Sequence, residues 1–397
     1  MPKARSITVW LNSACRSMMP LCRELAGCSG VPVHLVVRRP LTMDRMQLGW
    51  APDDGGDARV TVLTNHDWKL ASNAILDEAP GALNLITGYQ RDPYIRHVAF
   101  RAMARGHRMA VLSEAPLNAE TGIRRKFKEA YLRAILVRRV APIVAASERI
   151  FCLSGRRFSP LEKIGWPHRK IVPFGYFPAD RGRRSACALR TDGSMRLVCI
   201  GFLHAHKGVD LLLRAVARLA AVRIHLDCDI TGEGSEMASL RQLHSDLGLG
   251  AAVRFHGIVS DERLDELVAN ADVLVVPGRN EPWGIRVNEG IQAGLAVVVS
   301  DRVGAADLVS FSGGGLVFRS GDVGELAQSI YDLSTDPRLL LSAKLAANAY
   351  RPWIDPALAA KHLIDVMNLD PSEVPAVAPW AGAGARDAVR ASISVGA

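Results

Sequence analysis

No apolar run in this chain approaches the roughly eighteen residues that a membrane-spanning helix needs. The N-terminal "MPKARSITVWLNSAC" carries early charges, but its apolar run is too short for a secretion signal and reads as a first strand. Aromatic residues make up only 6% of the chain, and stacking aromatics do not cluster with the cations of the basic stretch 122–139, so nucleic acid is not an expected partner. The seven cysteines (15, 22, 28, 152, 187, 199, 228) are odd in number and scattered, and none forms a CxxC pair. That pattern argues for free thiols in a reducing cytoplasm and against a zinc site.

What is present describes a globular protein, with 49% hydrophobic and 22% charged residues. A length of 397 residues exceeds one typical core and suits two domains. The net charge of +9 is unevenly spread: residues 1–180 hold 27 Lys and Arg against 15 Asp and Glu, and the remainder 22 against 25. A basic first half beside a near-neutral second half suggests domains with different partners, the first favouring by charge alone an anionic surface, lipid phosphate or nucleic acid.

The second half alternates short β-rich runs with helical patterns. "RLVCIGF" (196–202), "VRIHLDCDITG" (222–232), "AVRFHG" (252–257), "DVLVVPG" (272–278) and "LAVVVS" (295–300) are strands with helices between them. Right-handed crossovers then predict a parallel sheet covered on both faces, a Rossmann-like domain over 196–349. The first half, 1–178, reads as a second α/β unit from "SITVWL", "VPVHLVV", "RVTVLT", "ALNLITG", "RMAVLSE" and "RIFCLS". Residues 179–195 are Arg-rich, polar and aperiodic, as a linker would be, and 350–369 read as a terminal helix. The Ala/Pro/Gly-biased tail 370–397 is expected to be disordered. Two such units facing across a cleft would bind a nucleotide at the carboxyl ends of their strands.

Several strand-to-helix loops could carry chemistry. In "GFLHAHKGVDLLLRA" (201–215), Lys207 beside Gly208 places a cation where backbone can approach closely, which suits a pyrophosphate. The alternative is a solvated lysine at a helix start. Gly232 and Gly234 in "DITGEGSE", and Gly257 after "VRFH", each fit a tight turn equally well. "NEPWGIRVNEGIQAG" (280–294) is richer, because Glu281 precedes a helix expected from Ile285 and Glu289 lies one turn inside it. Free amides of Trp283, Gly284 and Ile285 at that helix start would favour an anion. Helix capping explains either glutamate alone, whereas the two flanking an amide cluster fit a sugar diphosphate.

Taken in order, Lys207-Gly208, Gly232-Glu233-Gly234, "VRFHG", Glu281 with Glu289, and "SDRVG" ending at Gly304 resemble the donor domain of the family-4 glycosyltransferases of GT-B fold. The resemblance spans about 196–335 and is looser in the first half, where "SERIFCLSGRRFSPLEKIGWPHRKIVPFGYFP" looks like the segment closing the acceptor domain. "YRPWIDPALAAKHLIDVM" (350–367) looks like the helix that crosses back to that domain.

The resemblance implies a retaining, metal-independent transferase with no cofactor. Its substrates would be a UDP-, GDP- or ADP-sugar donor and a saccharide or lipid-linked acceptor. Lys207 would contact the diphosphate, Glu281 the sugar hydroxyls and Glu289 the ribose. Trp283, Gly284 and Ile285 would give amides, while the Gly201 and Gly232 turns and Gly257 with Ile258 would line the donor, the last two near the base. Glu114, ending "MAVLSE", is a candidate on the acceptor side.

Two departures stand out. Phe202 occupies a position where the family often has Arg, a loss that Arg286 or a residue of the other domain could compensate. The family's early glycine loop is absent from "NSACRSMMP" (12–20). Finally, "GIRRKFKEAYLRAILVRR" (122–139) spaces Ile123, Phe127, Tyr131 and Ile135 every four residues among seven cations. It is either an amphipathic helix packed on its own domain or a helix lying on an anionic membrane surface, which would make the protein cytoplasmic and membrane-peripheral.

Overall fold

The structure is a computed structural model. It describes residues 4–15, 17–39, 55–63, 66–88, 92–114, 126, 127, 130, 131, 134, 141–154, 162, 166–185, 194–370, 372–375 and 377–396. The chain divides into two compact units, one holding the described residues up to 179 together with those of 356–378, and the other the described residues of 180–355 and 379–396.

The first unit is built on seven parallel strands: β1 (Ser6–Ser13), β2 (Val33–Arg39), β3 (Arg59–Val62), β4 (Ala82–Thr87), β5 (Arg108–Ser113), β6 (Arg149–Cys152) and β7 (Ile171–Pro173). Their order is β3-β2-β1-β4-β5-β6-β7. The central strands are continuous apolar runs because helices cover both faces, and Ala82–Thr87 is buried at every position. Helices α1 (Met19–Cys28), α2 (Trp68–Glu78) and α3 (Pro93–Ala104) supply cover.

The second unit has six strands: β8 (Met195–Ile200), β9 (Leu226–Thr231), β10 (Val253–Gly257), β11 (Val273–Val276), β12 (Ala296–Ser300) and β13 (Gly315–Phe318). All are parallel, in the order β10-β9-β8-β11-β12-β13. Its helices are α4 (Val209–Ala221), α5 (Met237–Asp246), α6 (Asp261–Ala269), α7 (Arg286–Ala293), α8 (Ala306–Ser312), α9 (Val323–Thr335) and α10 (Pro337–Tyr350). In α4 the buried Val209, Leu212, Leu213, Val216 and Leu219 fall at helical spacing and enter the core with Leu197, Ile230, Val275 and Phe318. Just past α4, Arg223 adopts a left-handed φ of 63°, unusual for a side chain with a Cβ.

The chain then returns to the first unit as α11 (Pro356–Asn368), which packs on α1. There Arg149 donates to the Leu369 carbonyl at 2.9 Å. The ring of His362 stacks on Phe174, and burial pushes its pKa down to about 4.

Two expectations change. The tail expected to be disordered contains α12 (Ala383–Gly396), which packs on α10 in the second unit. Trp380, Ala385 and Val389 are buried there. Its apolar positions recur at helical spacing, a periodicity that the Ala/Pro/Gly bias of the whole segment obscures. The aperiodic stretch 179–195 is described as far as Ser185, and this part is docked on the second unit. Arg181 grips Asp261 through two bonds of 2.8 and 2.5 Å, and Arg183 reaches both Asp261 and Asp265. Ser185 donates from its amide to Ala293 and from its hydroxyl to Ala271. Most of the basic stretch 122–139 lies outside the described residues. Within it, Phe127 and Tyr131 are 71% and 64% exposed.

Candidate functional site: the switch point of the second sheet

Strand order places the site. From β8 the chain moves outward through β9 to β10, then crosses back to β11 on the other side of β8 and continues through β12. The loops after β8 and β11 therefore lie at the topological switch point of the sheet, the edge where open α/β sheets bind ligands in a crevice at the carboxyl ends of their strands. Lys207 is on the first loop and Glu281 on the second.

The loop after β8 is stitched to its neighbours. The Gly201 amide donates to Thr231 at 3.1 Å, Leu203 to Glu233 at 2.9 Å, and Gly232 to Gly257 at 2.7 Å. The glycine turns ending β8, β9 and β10 thus form one row. A 3₁₀ turn, Ala205–Lys207, then presents Lys207, and Gly208 closes it in the left-handed region at φ 69°. A Cβ on Gly208 would lie 2.1 Å from the Pro277 carbonyl oxygen. This glycine lets the two loops touch.

Glu281 is fixed from the opposite side. Its amide donates to Arg302 at 3.0 Å and its carbonyl accepts from Gly304 at 3.2 Å, an isolated parallel bridge. A Cβ on Gly304 would meet the Pro282 carbonyl oxygen at 2.0 Å. The "SDRVG" turn therefore braces the Glu281 loop. Held this way, the largely buried Glu281 carboxylate accepts from Lys207 Nζ at 2.7 Å, with the lysine still partly open to solvent.

A second ion pair ties the same two loops. Arg279 donates to both carboxylate oxygens of Asp210, at 2.6 and 2.7 Å, and to the Ala205 carbonyl at 3.0 Å. Its amide donates to His206 at 2.8 Å, and its carbonyl accepts from Ser320 Oγ at 3.1 Å. Burial works to raise the Asp210 carboxyl, but the bonded guanidinium prevails and holds it below the ordinary value. Burial, and then the charge of Lys207, lowers the pKa of the neighbouring His206.

The remaining residues singled out from sequence divide. Gly284, with φ 88°, and Ile285 lead into α7, whose first amides lack intrahelical acceptors. Trp283 is buried, its indole donating to Asn288 at 2.8 Å, so its side chain is committed within the protein. Glu289 sits in the first turn of α7 and accepts from Arg286. With Arg183, Ile200 and Leu264, this pair lines a small concavity. Arg286 is thus engaged with Glu289 in this structure. Phe202 is 36% exposed and stacks on His204, which stacks in turn on His206. Ile258, just past β10, is 43% exposed. Glu114 belongs to the first unit and accepts from the Tyr176 hydroxyl at 2.9 Å.

Sequence reasoning missed the bracing role of Gly304 and the whole Arg279–Asp210 pair. The glycine was visible in "SDRVG". Nothing local signals that residues 69 positions apart meet.

No group of three or more His, Cys, Asp or Glu is placed to hold a metal among the described residues. No described helix is long and apolar enough to cross a membrane.

Two parallel-sheet Rossmann-like units, with a helix returning to the first, define a protein of GT-B fold. The structure of Anabaena Alr3699/HepE in complex with UDP and glucose has the same build, with a TM-score of 0.68 over 91% of this chain and 99% of that one at 16% identity. Residues 188–351 match the family described as glycosyl transferases group 1. The chain is 30% identical over 229 residues to D-inositol 3-phosphate glycosyltransferase of Streptomyces avermitilis, covering 53% of this chain and 48% of that protein. It is 27% identical over 180 residues to the GDP-mannose-dependent alpha-(1-6)-phosphatidylinositol dimannoside mannosyltransferase of Mycobacterium tuberculosis, covering 44% and 46%. The chain thus spans about half the length of these curated relatives.

Proposed function

We propose that the chain is a retaining glycosyltransferase. It would move a sugar from a nucleotide-sugar donor, held by the second unit, to a saccharide or lipid-linked acceptor in polysaccharide or glycolipid synthesis. The observation that carries this reading is the Lys207–Glu281 pair across the β8/β11 switch point.

Departure of a nucleoside diphosphate builds negative charge on its phosphates, so a catalyst needs donors already aimed there. Lys207 supplies an ammonium, and the start of α7 supplies amides with the favourable end of the helix dipole. These groups provide the stabilisation without calling on a metal. Glu281 keeps the lysine oriented while the site is empty, and a bound sugar would draw the carboxylate to its hydroxyls. Glu289 would turn from Arg286 to the ribose, and the row of glycine turns at 201, 232 and 257 would line the donor, with Gly257 and Ile258 near the base. A relative named for GDP-mannose and a solved neighbour holding UDP leave UDP-, GDP- and ADP-sugars as donors to test. Glu114 belongs on the acceptor side, and the exposed Phe127 and Tyr131 support contact of 122–139 with an anionic membrane surface from the cytoplasmic side.

The test is release of nucleoside diphosphate from each donor, with and without a membrane extract as acceptor source. Turnover of one donor is expected, and silence with all of them refutes the enzyme reading. Phe202, where a diphosphate cation is expected, favours a second reading, a catalytically silent nucleotide-sugar-binding subunit. Donor binding without turnover would single that reading out.

A further inference from the structure

Arg279 belongs to no motif that the proposed function uses, yet it makes more contacts across the crevice than any other side chain described there. Its guanidinium spans from the loop after β11 to the loop after β8, closing a forked pair on Asp210 at 2.6 and 2.7 Å. One nitrogen also reaches the Ala205 carbonyl at 3.0 Å, and its backbone amide holds the His206 carbonyl at 2.8 Å. Ala205 and His206 are the two residues before Lys207, within the same 3₁₀ turn. Asp210 lies in the first turn of α4, just beyond Gly208. The turn presenting Lys207 is therefore gripped on both flanks by one side chain, which sits two residues before Glu281.

A lysine has a long flexible stem, and a single ion pair does not by itself fix its ammonium. An arginine fork does fix geometry, because its planar donors match a carboxylate in only a few orientations. The fork here is half-buried, and its other partner is the Ala205 carbonyl, so it holds main chain as well as side chain. From this arrangement we propose that Arg279, locked by Asp210, is the positioning residue that sets Lys207 at the distance and angle a nucleoside diphosphate requires. The inference rests on the proposed donor site and deepens it: the recognition of diphosphate depends on a cation that never touches the ligand.

A positioning role differs from a merely structural one in what it couples to. The experiment measures UDP, GDP and ADP binding by calorimetry, and nucleoside diphosphate release, for the full chain and its variants, alongside melting temperature. Arg279→Met is expected to weaken diphosphate binding and lower kcat by roughly 10- to 100-fold. Arg279→Lys is expected to recover little, because an ammonium cannot fork. The paired exchange Arg279→Asp with Asp210→Arg is expected to recover part of the loss. In a Lys207→Ala background, Arg279→Met is expected to cost less than about threefold more, since the two changes remove one function.

Full additivity of Arg279→Met with Lys207→Ala would overturn the inference, as would an unchanged kcat in Arg279→Met while the parent binds and turns over donor. A loss of activity that only tracks a fall in melting temperature would overturn it as well. A parent chain that binds no nucleotide at all would instead remove the donor site, and this inference with it.

Discussion

The two sheets share one topology: each starts at its centre, winds outward, then returns to the other side of the first strand. Their switch points are nevertheless furnished differently. In the second unit the loops after β8 and β11 are joined by two ion pairs, Lys207–Glu281 and Arg279–Asp210, with Arg286–Glu289 beside them. In the first unit, no ion pair joins the loops after β1 and β4 among the described residues. There the pairs Arg105–Asp77 and Arg108–Glu148 lie at helix and strand ends away from that edge. One fold thus carries two differently charged sets of loops, a difference for which the proposed function offers a reason. A diphosphate is the same group in every nucleotide sugar, so a site proposed for it can be fixed and charged, whereas a unit proposed to hold a variable acceptor has no such constant to match.

The largest expected effect breaks the contrast outright. Glu281→Ala or Lys207→Ala should lower nucleoside diphosphate release by roughly 100-fold or more, because a preorganised charge is lost where charge develops. Unchanged turnover in either variant would move the site elsewhere while leaving the fold as it is. Next comes the contact between the two loops. Gly208→Ala would force a Cβ against the Pro277 carbonyl at a left-handed φ, and should cost about 2–4 kcal/mol. Thermal unfolding should show the loss in the second unit, with the first unit's transition unmoved.

Acid should act on the first unit instead. His362 in the first unit has its pKa lowered from 6.5 to about 4 by burial, so the folded state holds it neutral. Its contribution is complete above pH 6.5 and is lost as pH falls toward 4, because the unfolded chain takes up the proton first. A loss of about 2–3 kcal/mol over that range is expected, and His362→Gln should flatten it. A first unit equally stable at both ends of the range would contradict this account.

Smaller effects sharpen the comparison. Phe202→Arg adds a cation beside the Lys207 turn and should tighten nucleoside diphosphate binding by roughly three- to tenfold, read by calorimetry. If affinity falls instead, the exposed ring is itself part of the site. Arg223→Gly relieves a left-handed residue after α4 and should raise the second unit's stability by about 0.5–1 kcal/mol. No gain in denaturant midpoint would mean that the arginine side chain offsets its strain.

The amino-acid sequence by itself determined the strands, the helices between them and the edge where the site lies. Alternating apolar runs and glycine turns are local signals; β8, β10, β11 and β12 can be read from them to within two residues, whereas the run read for β9, 222–232, begins four residues before the strand Leu226–Thr231. It also singled out Lys207 and Glu281, since each sits in a loop whose flanking glycines announce a close approach of backbone. The tertiary structure alone decided that these two side chains meet, 74 residues apart. It also decided that Arg279 and Asp210 lock the same loops and that Gly304 braces Glu281. Residues 180–185 are docked on the second unit, where sequence suggested only a linker, because arginines find carboxylates on α6 that no spacing reveals. Local pattern reports what a segment can become. Which charges face each other depends on strand order, and strand order is settled only when the whole sheet is assembled.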